Sequence, residues 1–168
     1  MIYVNVRALI ERTSDGKREI LLQIRDREGE FEALELPGGQ IEEFESLLQG
    51  LRREVFEETG LQIKTIVGSE TYITTSQSDS NVECISPFAV YQTIYGPVDS
   101  MGVYFRCTAE GDLFKRGDGS KDARWVDIKE VQRLIGETPE VFSWVDLAGL
   151  KRYIAFLETE GKYIGVDE

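Results

Sequence analysis

The chain of 168 residues has no histidine and little positive charge. The lack of histidine excludes Ser-His-Asp and Cys-His catalysis, histidine-ligated zinc and a histidine general base. Acid-base chemistry near neutral pH then has to come from carboxylates, lysine, tyrosine, cysteine or metal-bound water. The 31 acidic residues outnumber the 19 basic ones, giving a net charge of −12. Such a surface repels nucleic acid and anionic membranes, and it would repel a phosphorylated substrate unless cations intervene.

Cysteine and long hydrophobic runs are also scarce. Cys84 and Cys107 stand in apolar, strand-like runs without a Cys-x-x-Cys pair, so we expect two buried thiols in a reducing cytosol and no structural zinc site. Residues 1–16 lack the basic segment and cleavage site of a signal peptide, and no apolar run reaches the roughly 18 residues of a membrane span. We therefore expect a cytoplasmic protein that binds neither nucleic acid nor a membrane.

The pattern of apolar residues indicates one α+β domain over residues 1–168, with a hydrophobic content of 41% that is ordinary for a globular protein. Apolar and polar alternation predicts strands at residues 2–11, 18–25, 34–39, 63–75, 85–95, 101–110 and 124–128. Residues 76–81 and 115–123 are polar and are expected to form loops. Apolar stripes predict core-facing helices at 127–136 and 146–161. Strands with one inserted helix and helices at the end are typical of an α+β fold.

The segment Leu51–Gly60, LRREVFEETG, combines a helical pattern with an unfavourable charge distribution. Ser46 and Gln49 form a predicted capping box, and Gly60 suits the position that follows a last helical turn. We therefore expect a helix from about Leu47 to Thr59. Three glutamates crowd its last turns, where the helix dipole disfavours negative charge, and two of them stand four residues apart.

These glutamates border the buried face of the predicted helix. Glu54 and Glu58 lie along the edge of the apolar stripe, and Glu57 lies just beyond it, within reach of Arg53 one turn earlier. A solvated acidic helix end is one explanation, because the whole protein is acidic. A bound cation is the other, since carboxylates at this spacing and a free carbonyl in the preceding Pro-Gly-Gly loop (residues 37–39) suit Mg²⁺ or Mn²⁺. The cation also explains why local rules are broken at one place.

The segment Gly39–Leu61, GQIEEFESLLQGLRREVFEETGL, resembles the Nudix box. That pattern is Gly, five residues, Glu, seven residues, Arg-Glu, an aliphatic residue, any residue, Glu-Glu, any residue, Gly and an aliphatic residue. The sequence supplies every required position with Gly39, Glu45, Arg53, Glu54, Val55, Glu57, Glu58, Gly60 and Leu61. The departures, Phe44 for a common glycine and Gly50-Leu51 for a common alanine pair, fall at positions that carry no chemistry.

The resemblance implies a Nudix hydrolase of the MutT type, with an α/β/α sandwich around a mixed β-sheet. Such enzymes use water and Mg²⁺ or Mn²⁺ to cleave a diphosphate linked to another moiety X, so the implied partner is a small phosphoanhydride. By position, the implied metal ligands are the Gly38 carbonyl, Glu54, Glu57 and Glu58. Arg53 would orient the glutamates, and Glu45 would support the site.

The box does not identify the group that accepts a proton from the attacking water. Without histidine, this group has to be a carboxylate. Relatives often place an acidic residue in the loop before a tryptophan-containing strand, which corresponds here to residues 124–128. Asp118 and Asp122 are the acids of that loop, and we favour Asp122. Glu54 is the alternative.

The box does not identify X either. Sequence marks of the subfamilies for ADP-ribose, dinucleoside polyphosphates, NADH and coenzyme A fail, or match only in part, near residues 21–25 and 76–79. Nucleotides are the most common substrates of the family, so a nucleoside diphosphate derivative is the default expectation. A non-catalytic nucleotide-binding sensor is the alternative, and the intact Glu57-Glu58 pair argues against it. A homodimer is one assembly that we consider, although the sequence does not determine the oligomeric state.

Overall fold

The computed structural model describes the fold over residues 1–163 and the surroundings of side chains over residues 1–160. Residues 164–168 of the predicted domain lie outside the described residues. The strands are β1 (Tyr3–Ser14), β2 (Lys17–Arg25), β3 (Leu34–Glu35), β4 (Gly38–Gln40), β5 (Gln62–Ile66), β6 (Ile73–Thr74), β7 (Glu83–Cys84), β8 (Ala89–Gln92), β9 (Ser100–Glu110), β10 (Arg116–Gly117) and β11 (Ser120–Asp127). The α-helices are α1 (Leu47–Thr59), α2 (Ile128–Glu137) and α3 (Trp144–Tyr163).

The central strand of the main sheet is β1. It runs parallel to β9 and antiparallel to β2, within the order β10-β11-β2-β1-β9-β5, so the sheet is mixed. Its pairing with β2 covers only the turn-proximal end, from Glu11 to Ser14. Beside the first half of β1, β4 takes the neighbouring position and pairs Asn5–Arg7 with Gly38–Gln40. The loop that precedes α1 is therefore attached directly to the central strand.

Helices cover both faces of this sheet. Residues 6–10 of β1 are all buried, as expected for a strand with a layer on each side. Val6 and Ala8 belong to the cluster that contains the apolar stripe of α1, whereas Leu9 belongs to the cluster formed with α2 and α3. The predicted α/β/α sandwich around a mixed sheet is confirmed. None of the helices in the described part of the chain is long and apolar enough to cross a membrane.

Helix α1 has the predicted bounds because its two ends are determined locally. The Ser46 side chain accepts a hydrogen bond from the Gln49 amide at 3.1 Å, and the Gln49 side chain accepts one from the Ser46 amide at 3.2 Å. Gly60 follows with a φ of 80°, a left-handed conformation that glycine adopts without steric cost.

Three sequence predictions are wrong in detail. Residues 115–123 form the hairpin of β10 and β11 in place of a loop, because β11 pairs with the edge of β2 and backbone pairing overrides the polar composition. The strand predicted at 63–75 ends at Ile66, where Gly68, with a φ of 98°, leads into a short 3₁₀ turn. The strand predicted at 85–95 is limited to β8, which pairs antiparallel with β9.

The prediction of two buried thiols holds only for Cys107. Cys84 is exposed, although it stands in an apolar stretch. It belongs to β7, which pairs only with β6 in a two-stranded ribbon outside the main sheet. A ribbon of this kind has no second layer to bury alternate side chains.

Candidate catalytic site

The second half of α1 faces the loop that contains β4. Gly39 lies so close to Glu54 that a Cβ at this position would be 2.5 Å from the carboxylate oxygen Oε2. A residue with a Cβ at this position would therefore force the Glu54 carboxylate to shift. The predicted site residues of the loop and of the helix are brought together by this contact.

Arg53 connects the acidic residues of the site that lie outside the core. Its Nε and Nη2 atoms donate to the two carboxylate oxygens of Glu45 at 2.7 and 2.9 Å. Its Nη1 atom donates to Glu54 at 2.7 Å and to Glu57 at 3.2 Å, and Nη2 also reaches the Gln40 carbonyl at 3.1 Å. The bidentate bond to Glu45 fixes the plane of the guanidinium, and the hydrogen bond from Arg53 lowers the pKa of Glu45. These contacts bring Arg53 together with the three glutamates, and the orienting and supporting roles implied for Arg53 and Glu45 stay predictions.

Glu58 is held differently, because it is buried. Glu58 is 4% exposed, and its Oε2 atom accepts hydrogen bonds from the Gly38 amide at 2.8 Å and from Gln23 Nε2 at 2.9 Å. Burial raises the pKa of Glu58 to about 8, against the opposing effect of the Arg7 charge. Without a further cation, its charged form is therefore disfavoured in this environment.

Glu54 and Glu57 complete the row on α1. Burial also raises the pKa of Glu54, and the bond to Arg53 opposes that shift. The Glu57 side chain is 43% exposed, with Arg53 as its partner. Over the described residues, no three acidic side chains converge as a ready-made set of metal ligands. The glutamates are held instead by separate partners around the end of one helix.

The last turn of α1 is covered by the β10–β11 hairpin. The Asp118 amide donates to the Glu57 carbonyl at 3.1 Å, and Ser120 Oγ donates to the Glu58 carbonyl at 3.1 Å. A Cβ on Gly117 would be 1.9 Å from that same carbonyl oxygen. The hairpin therefore satisfies carbonyl groups that a helix end leaves without partners and lessens the unfavourable end charge.

The acids of this hairpin do not join the glutamate cluster. Asp122 is exposed, at a bulge of β11 where its φ is 52°. In the described part of the chain, no hydrogen bond or ion pair connects Asp122 or Asp118 with a carboxylate-bearing side chain of α1 or with Arg53. Asp122 as proton acceptor therefore stays a prediction.

Gly38 is fixed from both sides. Its amide donates to Glu58, and its carbonyl accepts a hydrogen bond from Arg7 Nη1 at 2.8 Å. Its φ is 143°, and a Cβ would lie 2.1 Å from the Val6 carbonyl oxygen, so no other residue fits this backbone. Arg7 is held in turn by Asp146 at the start of α3.

A cavity of about 930 Å³ adjoins this loop. One wall is formed by residues 38–40, and another by residues 142–145, which lead into α3. Arg25 and Arg27 line it on a third side, and Tyr91 contributes an aromatic ring. In a protein of net charge −12, a cavity next to the Gly38–Gln40 loop that presents arginines suits an anionic ligand with an apolar or aromatic portion.

Comparison with known proteins identifies the family of this chain. The NUDIX domain matches residues 2–146 of the sequence. The chain belongs to the Nudix family. It is a Nudix hydrolase, a member of a family that acts on nucleoside diphosphate derivatives. No curated protein matches the sequence.

Solved structures agree with the Nudix fold. A MutT Nudix hydrolase from Burkholderia pseudomallei has 18% identity and a TM-score of 0.62, over 90% of this chain and 98% of that chain. The Nudix domain of Shewanella oneidensis NrtR, solved with ADP ribose, has 17% identity and a TM-score of 0.59, over 94% and 89%. A possible asymmetric diadenosine tetraphosphate hydrolase from Jonesia denitrificans has 17% identity and a TM-score of 0.64, over 92% and 94%. At these identities the likeness shows the shared fold.

Sequence reasoning identified the Nudix box but missed the buried residues behind it. Arg7, Gln23 and Asp146 contact the box residues or one another and lie outside the motif. A signal was available for Arg7, because a single arginine in the apolar run VRALI of a central strand needs a buried partner. The partner itself is 139 residues away in sequence, so only the fold reveals it.

Proposed function

We propose that this Nudix hydrolase cleaves the diphosphate of a nucleoside diphosphate linked to a further moiety, in a reaction that depends on Mg²⁺ or Mn²⁺. The observation that carries the proposal is the row of Glu54, Glu57 and Glu58 at the end of one helix. Arg53 holds Glu54 and Glu57 of this row, and the Gly38 amide holds Glu58. The same glycine loop lines a cavity that presents arginines.

The donor set supports a hard divalent cation. All candidate ligands are oxygen atoms, and they include carboxylates whose charge is disfavoured by burial in Glu54 and Glu58. The residues that would hold the cation are the Gly38 carbonyl, Glu54, Glu57 and Glu58. When bound, such a cation neutralises charge on the diphosphate and makes a coordinated water more acidic.

The side chains of the protein have separate tasks in this proposal. Arg53 fixes the orientation of Glu54 and Glu57, and Glu45 holds Arg53 by its two hydrogen bonds. Glu54 is half-buried and burial raises its pKa, so it accepts a proton more readily than an exposed glutamate does. Asp122 is the second candidate for this role.

The cavity supports a nucleotide as the organic part of the substrate. Arg25 and Arg27 supply positive charge on its wall, and Tyr91 and Trp144 supply aromatic surface for a base or sugar. One structural neighbour was solved with ADP ribose and another is described as a possible diadenosine tetraphosphate hydrolase. Both compounds contain a nucleoside joined through phosphoanhydride bonds. A nucleoside diphosphate derivative is therefore the substrate class we propose.

A panel of nucleoside triphosphates, dinucleoside polyphosphates, ADP-ribose and other nucleoside diphosphate conjugates tests the proposal. We expect at least one to be cleaved with Mg²⁺ or Mn²⁺ and none after complete chelation by EDTA. Cleavage that persists in EDTA would refute the metal dependence. A panel member that raises the melting temperature without being cleaved would support the alternative, a nucleotide-binding module without activity.

A further inference from the structure

Arg7 is a charged residue in the apolar interior of the central strand. It is 6% exposed, and Val6, Ala8 and Leu9 beside it are completely buried. A buried guanidinium is strongly destabilising unless acceptors surround it. The structure supplies these acceptors from two different parts of the chain.

The first acceptor is Asp146 near the start of α3. Its two carboxylate oxygens accept from Arg7 Nε at 2.8 Å and from Nη2 at 2.5 Å, and Asp146 is fully buried. Glu35 is a more distant neighbour, 3.8 Å from Nη2. The two-point contact with Asp146 determines the orientation of the guanidinium, which a single ionic contact would leave free to rotate.

The second acceptor is the Gly38 carbonyl, which receives the remaining Nη1 donor at 2.8 Å. On the other side of the same residue, the Gly38 amide donates to Glu58 at 2.8 Å. The two peptide groups that flank the Gly38 Cα are therefore each held by a buried ionisable side chain. These two bonds at Gly38 add to the pairing of β4 with β1, which holds the neighbouring backbone of the loop.

We propose that Arg7 is a positioning residue of the hydrolytic site and that Asp146 sets its orientation. This inference rests on the proposed function, because the Gly38 carbonyl and Glu58 are among the proposed ligands of the cation. A carbonyl oxygen has two lone pairs, so the bond from Arg7 leaves one available. The Arg7–Asp146 pair also connects the Gly38 loop to the wall of the cavity. Ser143 and Trp144, which line that wall, stand shortly before Asp146 in the sequence.

Removing Arg7 and Asp146 together distinguishes an effect of loop position from an effect of net charge. The double variant Arg7→Met/Asp146→Leu deletes one positive and one negative charge, so the net charge of the site is unchanged. Replacing a buried ion pair by apolar residues is often tolerated, whereas removing one partner alone is not. The matched control is Arg106→Met/Glu11→Leu. Arg106 and Glu11 form a two-point contact at 2.6 and 3.2 Å between β9 and β1, away from the loop.

The first measurement is hydrogen exchange at the Gly38 and Gly39 amides by NMR, without metal. We expect faster exchange at these amides in Arg7→Met/Asp146→Leu and unchanged protection along the β1–β9 ladder. The second is Mn²⁺ affinity by calorimetry, and the third is turnover of a cleaved panel substrate. We expect Mn²⁺ affinity and kcat to fall about 10- to 100-fold with little change in KM, the range found when residues that orient metal ligands are lost. The control variant should match the wild type in all three.

If Arg7→Met/Asp146→Leu matches the wild type in all three measurements, as the control should, the proposal is wrong. If Arg7→Met/Asp146→Leu does not fold, Arg7→Lys takes its place, because lysine keeps the charge but lacks the planar fork that spans Asp146 and Gly38. Wild-type exchange and Mn²⁺ affinity in folded Arg7→Lys would equally refute positioning. If the wild type binds no Mn²⁺ and cleaves no substrate, the proposed function fails, and the amide exchange still decides whether Arg7 and Asp146 fix the loop.

Discussion

Glu57 and Glu58 are neighbours in sequence and have the same implied role, yet their surroundings are opposite. The Glu57 side chain is 43% exposed and is held by one 3.2 Å bond to Arg53. Glu58 is 4% exposed and is held by a backbone amide and by Gln23. One step along a helix turns the side chain by about 100°, which is enough to move it from the solvent side to the core.

The difference shows how a single helix can meet two requirements of a metal site. Ligands on the solvent side cost little to keep charged, because water and Arg53 stabilise them. A ligand on the core side is fixed more firmly, but its charge is disfavoured until a cation arrives. Variants of the two glutamates should therefore affect activity and stability in different proportions.

Of the variants discussed, Glu57→Gln is expected to lose the most activity. We expect kcat to fall about 10²-fold or more, because a charged ligand is lost from the site. Stability should stay the same or rise slightly, since one negative charge leaves the last turn of α1 and only one exposed ion pair is broken. Steady-state kinetics at saturating Mg²⁺ and thermal unfolding check the two expectations.

Glu43→Gln is the matched control for this variant. Glu43 is an exposed glutamate of the loop before α1, and its loss changes the net charge of the protein by the same amount. It should keep wild-type activity. Equal activity in Glu57→Gln would refute the ligand role, and a collapse of its stability would point to a structural role instead.

The next effect is expected for Arg53→Lys. Lysine cannot donate two parallel bonds to Glu45 while also reaching Glu54 and Glu57, so the exposed half of the site loses its organisation. We expect kcat to fall about tenfold or more and the melting temperature to change little. A wild-type kcat in this variant would show that Arg53 does not orient the glutamates.

A smaller effect, on the pH dependence of stability, distinguishes Glu58 from Glu57. Burial raises the folded-state pKa of Glu58 to about 8 from an ordinary value of 4.5. Between these pH values, the folded protein holds a proton that the unfolded chain has released, so the stability of the metal-free wild type should fall as pH rises. One such site contributes a slope of at most about 1.4 kcal/mol per pH unit.

Glu58→Gln removes this contribution, because glutamine does not titrate over the range and can still accept from the Gly38 amide. Denaturant unfolding in EDTA from pH 5 to 8 should show a shallower decline for this variant. Glu57→Gln should keep the wild-type slope. Equal slopes in the wild type and in Glu58→Gln would show that the buried carboxyl does not control the pH dependence.

The contrast also explains which parts of the molecule could be predicted. The bounds of α1 follow from Ser46, Gln49 and Gly60, which act within one turn of the helix. The exposed half of the site follows from the spacing of Arg53 and the box glutamates, again a local property. Both were predicted from the sequence.

The buried half depends on contacts that no local pattern contains. Arg7 stands in an apolar run that indicates a buried partner without identifying it, and Asp146 stands in the first turn of a helix, where acids are common. Only the fold shows that they meet over a separation of 139 residues. The hairpin of β10 and β11 was missed for a similar reason, since the edge of β2 decides its structure.

The smallest effect is expected for Asp122→Asn, and it tests whether the reactive carboxylates are confined to α1. Asp122 is exposed at the β11 bulge, and within the described residues no bond links its side chain to the glutamates. If it accepts a proton only when the hairpin closes over a substrate, the variant should lower kcat and shift the acidic limb of the pH-rate profile.

Asp118→Asn is the control, because Asp118 also lies in the hairpin but is attached to α1 by its backbone amide. At saturating Mg²⁺, the pH-rate profile of Asp122→Asn should differ from that of the wild type, and the profile of Asp118→Asn should not. If both keep the wild-type kcat and the same acidic limb, the hairpin carries no base. Glu54 would then be the acceptor, because it is half-buried, has a raised pKa and lies between Arg53 and the glycine loop. In that case, the proton acceptor and the three proposed carboxylate ligands would all lie within residues 54–58 of α1.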